Sequence, residues 1–148
     1  MNRPVIALVA AVLAAATACT GGGRDHPEPR EPVRCQVDYF SVPPGFHPVR
    51  TFEERYPDHV GTRLSLRDGD GRELHVFSGI PGEFGEGLPS GGTVEVTGSG
   101  PATLLGRKDV WVLWWEVEGP CSPRAVLGNG LSRERYLQTL ADAGLVQA

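Results

Sequence analysis

The segment DVWVLWWEVE, residues 109–118, decides the fold, because it is the most apolar stretch after residue 19. In an extended conformation, alternate side chains point to opposite faces. One face would then carry Trp111, Leu113, Trp115 and Val117, and the other Val110, Val112, Trp114, Glu116 and Glu118. Both faces begin apolar and one becomes polar, which predicts a central strand whose far end reaches water. We expect Trp111 and Trp115 in the core and Trp114 half-exposed.

A β-hairpin is predicted upstream of this strand. Residues 62–67 (TRLSLR) and 72–78 (RELHVFS) both alternate, with Leu64 and Leu66 on one face of the first segment and Leu74 and Val76 on one face of the second. The intervening DGDG is typical of a tight turn. A calcium loop would need a third ligand and a distant glutamate at fixed offsets, and both are missing.

Shorter patterns complete the predicted sheet. Residues 35–42 (CQVDYFSV), before a Pro43-Pro44-Gly45 turn, and residues 93–97, 102–105 and 125–127 are typical of strands. In residues 51–56 (TFEERY), Thr51 and Glu54 have capping-box spacing, which predicts one or two helical turns before Pro57.

The chain ends in a predicted helix that begins after Ser132, a good N-cap, with Glu134 in its first turn. Leu137, Leu140 and Ala141 form one apolar stripe, and Gly144 favours a C-terminal cap with Leu145 packing back. The fold class is therefore predicted to be α+β: an antiparallel sheet of five or six strands with a C-terminal helix packed on one face.

The first nineteen residues have the pattern of an export leader. A positive start, Met1-Asn2-Arg3, precedes an uncharged apolar run over residues 4–16 that is too short to span a bilayer. Ala16-Thr17-Ala18-Cys19 resembles the lipobox of bacterial lipoproteins at three of its positions. The excess of arginine over lysine, with abundant alanine, glycine and proline, makes the chain similar to actinobacterial lipoproteins in particular.

The lipobox resemblance implies cleavage before Cys19, a diacylglycerol on its thiol and a fatty-acyl chain such as palmitate on its new amine. The implied organisation is a signal peptide over residues 1–18, a lipidated flexible tether over 19–34 and one α+β domain over 35–148. The protein would then be anchored to the cell membrane on its extracytoplasmic face. The alternative is plain secretion with Cys19 just beyond the cut.

The cysteine count is three, which is odd for an exported chain. If Cys19 carries lipid, Cys35 and Cys121 remain to form one disulfide in an oxidising compartment. A metal site is the rival interpretation, but the four histidines have no useful spacing to either cysteine. We therefore expect a disulfide, with no metal and no cofactor.

The net charge of −4, with one lysine and no basic cluster, argues against a nucleic-acid partner, because phosphate binding needs a basic footprint. The expected partners are the membrane, through Cys19, and an unidentified envelope protein or ligand. The most favoured contact residues are Trp114, Glu116 and Glu118, since exposed tryptophans often mark binding sites. The glycine-rich segment 79–92 is either a plain connection or a functional rim.

Three functions are compatible with these features. The first is a non-enzymatic binding or scaffolding lipoprotein of the cell envelope. The second is a carrier or sensor of an apolar ligand, because the last third of the chain resembles the half-barrels of lipoprotein carriers and envelope-stress sensors. The third is a small secreted hydrolase using Glu116 and Glu118, which would stand about 6.5–7 Å apart on one strand. The first is our prediction.

Overall fold

The computed structural model describes residues 30–147, so the predicted leader, Cys19 and most of the predicted tether lie outside the described residues. The described residues form eight strands and one helix. In chain order they are β1 (Val33–Arg34), β2 (Phe46–Arg55), β3 (His59–Asp68), β4 (Glu73–Ser78), β5 (Ser90–Val96), β6 (Gly100–Arg107), β7 (Val110–Trp115), β8 (Arg124–Asn129) and α1 (Arg133–Asp142).

All eight strands belong to one sheet with the order β1-β3-β4-β8-β7-β6-β5, and β2 also pairs with β3. Every pairing is antiparallel except that of β1 with β3, which is parallel. The prediction of a sheet-rich α+β fold with a C-terminal helix is confirmed. The finer prediction of five or six antiparallel strands is wrong, because the sheet has eight strands and is mixed.

One missed strand is β2, which occupies the segment predicted as a short helix. Its pairing with β3 runs from Phe46 opposite Asp68 to Arg55 opposite Val60. A helix of one or two turns is marginal by itself. The long ladder with β3 therefore outweighs the local capping-box spacing.

The segment 35–42, predicted as a strand, is irregular. The Cys35 N–H donates to the Val60 carbonyl at 2.9 Å, after which the chain leaves the sheet edge and packs Phe40 into the core. The strand that does pair here is β1, whose two residues end the segment predicted as the tether. Val37, Tyr39 and Phe40 pack against the core instead of pairing as a strand, whereas Val42 is exposed.

The central-strand and hairpin predictions are confirmed. Strand β7 lies between β6 and β8, and β3 pairs with β4 so that Leu64 faces Val76 and Leu66 faces Leu74. The Asp68 carboxylate caps the hairpin turn by accepting the backbone N–H groups of Asp70 and Arg72, both at 2.9 Å. Asp68 and Asp70 therefore have a structural role in the hairpin turn.

The helix covers one face of the sheet, here called the closed face. Ser132 Oγ accepts the Arg135 N–H at 3.3 Å, which confirms the N-cap, and Gly144 follows the helix with a φ of +74°. Tyr136, which lies outside the predicted apolar stripe, is fully buried, and its hydroxyl donates to the Val126 carbonyl at 2.6 Å. None of the described residues forms a helix with the length and hydropathy needed to cross a bilayer.

The core of the closed face joins the helix to side chains from six strands, β3 to β8, with Val96 supplied by β5. Leu140 and Leu145 pack with Leu66, Leu74, Val76, Val126, Leu104, Trp111, Leu113 and Trp115. Trp111 is 8% exposed and Trp115 is 3% exposed, which confirms both as core residues. Leu137 and Ala141 pack against this cluster while only half-buried.

The predicted disulfide between Cys35 and Cys121 is present, with a Cα–Cα distance of 5.3 Å. It joins the end of β1 to the turn between β7 and β8. Gly79 fits directly beside it, since a Cβ at that position would come within 2.6 Å of Cys35 Sγ. Only glycine therefore suits position 79, where φ is also +69°.

Candidate functional site

The face of the sheet opposite the helix, here called the open face, is also apolar at its centre. Its register places Ala125 between Phe77 of β4 and Trp114 of β7, and Val112 between Leu127 of β8 and Leu105 of β6. Val112 and Ala125 are fully buried. Something other than the helix must therefore exclude water from this face.

The covering element is the loop of residues 79–89. Phe84 meets Phe77 edge-on with ring centroids 5.0 Å apart. Gly85 lies so close to Leu105 that a Cβ would come within 3.0 Å of it, and its φ is +72°. The Gly106 N–H donates to the Pro89 carbonyl at 2.9 Å. The loop is thus attached to the sheet at several points along its length.

An open cleft of about 700 Å³ remains between this loop and the sheet. Leu105 and Trp114 form its floor, Phe84 and Leu88 belong to the loop wall, and Pro123 also lines it. This volume lies within the usual range for small-molecule sites, about 300–1,000 Å³. We call this feature the Trp114 cleft.

The charged side chains of the Trp114 cleft are all acidic. Glu83 and Glu86 lie on the loop, and Glu116 follows the end of β7. A side-chain hydrogen bond with Glu83 raises the pKa of Glu86 above its ordinary value. The cleft therefore combines an apolar, aromatic floor with a negatively charged margin.

The base of the loop is fixed by a cluster around Gly79. Its N–H donates to the Pro123 carbonyl at 3.1 Å, and its carbonyl lies 2.6 Å from His59 Nε2. The other ring nitrogen of His59 lies 2.6 Å from the Asp58 carboxylate, whose hydrogen bond raises the pKa of His59. These hydrogen bonds, from Asp58 through His59 to Gly79, and the adjacent disulfide together position the start of the cleft wall.

Of the three residues predicted as a contact site, Trp114 and Glu116 line the cleft and Glu118 does not. Strand β7 ends at Trp115, so the two glutamates do not stand two positions apart on one strand. The carboxylate spacing expected from strand geometry therefore does not apply to them.

The segment 79–92 divides into two parts. Residues 79–89 form the loop over the open face, whereas residues 90–92 begin β5. Glu83, Phe84, Glu86 and Leu88 lie in the segment predicted as either a plain connection or a functional rim but were not selected individually, and Leu105 was not predicted as a lining residue. The available indication was the presence of Phe84 and Leu88 in an otherwise glycine-rich, acidic loop.

Residues 30–147 contain no cluster of three or more histidine, cysteine, aspartate or glutamate side chains arranged to hold a metal ion. No family model, curated protein or solved structure matches the chain at a significant level of similarity. The functional interpretation therefore depends on the geometry of the cleft and on the leader sequence.

Proposed function

We propose that the protein is a non-enzymatic lipoprotein, anchored through Cys19 on the extracytoplasmic side of the cell membrane, that binds a ligand in the Trp114 cleft. The observation that carries the binding role is the position of Trp114. Its indole is partly exposed on the floor of a cleft whose volume, about 700 Å³, suits a small molecule. Aromatic side chains provide large contact area in such sites.

The attachment of the loop supports binding by a preformed site. Phe84 on Phe77, Gly85 on Leu105 and Gly79 beside the disulfide hold the wall in place before a ligand arrives. A site that needs little ordering loses less free energy on binding. The filled core of the closed face contrasts with this cleft, so we place the ligand on the open face rather than inside the sheet.

The anchor part of the proposal is supported by the leader sequence. Ala16-Thr17-Ala18-Cys19 resembles a lipobox, and two or more acyl chains hold a protein stably at a bilayer. The disulfide agrees with an oxidising compartment outside the cytoplasm.

The binding role is tested by NMR with a set of neutral and cationic aromatic fragments. The chain has three tryptophans, and hence three indole N–H signals. We expect fragments to shift the Trp114 signal and to leave those of buried Trp111 and Trp115 in place. Trp114→Ala should weaken binding at least about tenfold, the equivalent of ~1.4 kcal/mol.

Phe52→Ala is the matched control, because Phe52 is a 38% exposed aromatic residue on β2, outside the cleft. It should bind fragments as the unmodified chain does. If no fragment shifts Trp114, or if Trp114→Ala and Phe52→Ala behave alike, the cleft is not the binding site.

The anchor is tested by the intact mass of the protein extracted from its native membrane, with and without reductant. We expect a chain that begins at Cys19 and carries acyl groups, with a gain of two protons on reduction. A mass without lipid would contradict the proposed anchor. The binding role of the cleft would still be tested by the NMR experiment.

A further inference from the structure

The charged side chains that line the Trp114 cleft all have the same sign. On strands β1 to β4, by contrast, carboxylates form ion pairs with arginines, as Glu53 does with Arg34 at 3.1 Å and Glu73 with Arg67 at 2.7 Å. Among the described residues, none of the three cleft glutamates forms an ion pair, and no lysine, arginine or histidine lines the cleft. Their charge thus has no protein counter-ion there.

Two of the glutamates also lie close together. Glu83 and Glu86 belong to one turn of the loop, where the Glu86 N–H donates to the Glu83 carbonyl at 3.5 Å, and Glu83 raises the pKa of Glu86. A positive group placed between them would favour both ionised forms. Glu116 is the third acidic side chain of the same cleft.

The floor is suited to the same kind of ligand. Cations are attracted to the faces of aromatic rings, most strongly to tryptophan. Trp114 and Phe84 both line the cleft, and Leu88 and Leu105 supply aliphatic surface for an apolar stem. An anionic ligand would be repelled by the three carboxylates, and a neutral ligand would gain no charge attraction from them.

We propose that the Trp114 cleft selects a small organic cation, an ammonium or guanidinium group on an aromatic or alkyl body. The apolar body would lie on Leu105 and Trp114, and the positive group would lie toward Glu83, Glu86 and Glu116. This inference rests on the proposed binding function of the cleft. It goes further by assigning the charge and chemical class of the ligand.

The test uses three probes of one shape and different charge: phenylbutylamine, phenylbutanol and phenylbutyrate. Each is titrated into the purified full chain by calorimetry, with the indole N–H signals followed by NMR. We expect the amine to bind about tenfold more tightly than the alcohol, and the carboxylate to bind most weakly. Added salt should weaken amine binding more than alcohol binding.

Variants assign the preference to named groups. The double variant Glu83→Gln/Glu86→Gln and the single variant Glu116→Gln should each bind the amine with an affinity close to that for the alcohol. Glu134→Gln is the control, since Glu134 is an exposed glutamate in the first turn of α1, away from the cleft. It should retain the full preference for the amine.

The outcomes separate this inference from the function on which it rests. If the amine and the alcohol bind equally well and both shift Trp114, the cleft binds ligands but does not select cations, and the inference is overturned. If none of the three probes shifts Trp114, both the binding function and the charge preference are overturned.

Discussion

The two faces of the sheet are made by the same strands but are covered in different ways. Helix α1 and Phe40 seal the closed face, where Leu104, Leu113, Tyr136 and Leu140 bury their side chains. The open face is covered by the loop of residues 79–89, which leaves a cleft over Trp114. Alternate residues of β7 thus lie either in the buried core of the closed face or on the open face that carries the Trp114 cleft.

This difference shows that strand alternation alone does not distinguish a core face from a binding face. Both faces are apolar at the centre of β7, and the covering element decides the outcome. A helix with an apolar side packs closely along its length, whereas the glycine-rich loop contacts the sheet at separate points, such as Phe84 on Phe77 and Gly85 on Leu105. The cleft lies where the loop does not reach the sheet.

The largest expected effect concerns the disulfide, which links the end of β1 to the turn between β7 and β8 beside the base of the loop. Cys35–Cys121 closes a loop across 86 residues, and the chain-entropy model assigns such a bond about 4–5 kcal/mol. Cys35→Ser/Cys121→Ser should lower the free energy of unfolding by about that amount in denaturant titrations. Because Gly79 and Pro123 adjoin the bond, hydrogen exchange in the 79–89 loop should also accelerate.

Cys19→Ser is the control for that experiment, since it leaves the Cys35–Cys121 bond intact. It should unfold at the same denaturant concentration as the unmodified chain. Equal stability of the double variant and the control would mean that the bond does not contribute to the free energy of unfolding.

The next effect compares two adjacent leucines of β6. Leu104 points to the closed face and is fully buried, whereas Leu105 lines the cleft and is partly exposed. Leu104→Ala should destabilise the protein by about 2–5 kcal/mol, because it leaves a cavity in a packed core. Leu105→Ala should cost about 1 kcal/mol, because part of this surface already faces water.

Thermal and denaturant unfolding of the two leucine variants would measure the contrast directly. Leu105→Ala should also weaken fragment binding, whereas binding by the folded fraction of Leu104→Ala should be unchanged. Similar stability losses in the two variants would mean that the open face is as tightly packed as the closed one.

The smallest effect is a pH dependence at the base of the cleft wall. The hydrogen bond with Asp58 raises the pKa of His59, so the folded state favours protonated histidine. The stabilisation that protonated His59 gains from Asp58 is fully present below the unfolded-state pKa of about 6.5. It is lost as the pH rises through the higher folded-state pKa. We therefore expect the unfolding midpoint to fall across that interval.

Asp58→Asn tests the cause of this dependence. It removes the carboxylate that favours the charged ring and should flatten the fall in stability above the ordinary pKa of histidine. Because the Asp58 side chain is 71% exposed, the change should be small. An unchanged pH profile in Asp58→Asn would exclude the His59–Asp58 pair as its origin.

The structural features predicted correctly from the sequence were those determined by residues that are close together in the chain. The alternation of β7, the hairpin of β3 and β4, and the Ser132 cap each depend on residues close in the chain. Strand β2 was missed because its pairing with β3 is stronger than a local helical pattern, and β1 because two residues carry no periodicity.

The candidate site was only partly predictable for the same reason. Trp114 was identified from its strand face, but Leu105 and Phe84 become its neighbours only through sheet register and loop packing. The charge of the margin is visible in the sequence as Glu83 and Glu86. That these two glutamates line the same cleft as Glu116 depends on the tertiary fold.

The order of strands also limits when this protein can fold as its chain emerges from the N-terminus onward. Strands β2 to β4 form one meander and β5 to β8 another, and among the described residues only the pairing of β4 with β8 joins them. A nascent chain therefore exposes the edge of β4 until β8 has emerged, nearly fifty residues later. Contacts so distant in sequence slow folding, and an open apolar edge favours aggregation. Chains that stop before Arg124 should accordingly depend on chaperones to stay soluble.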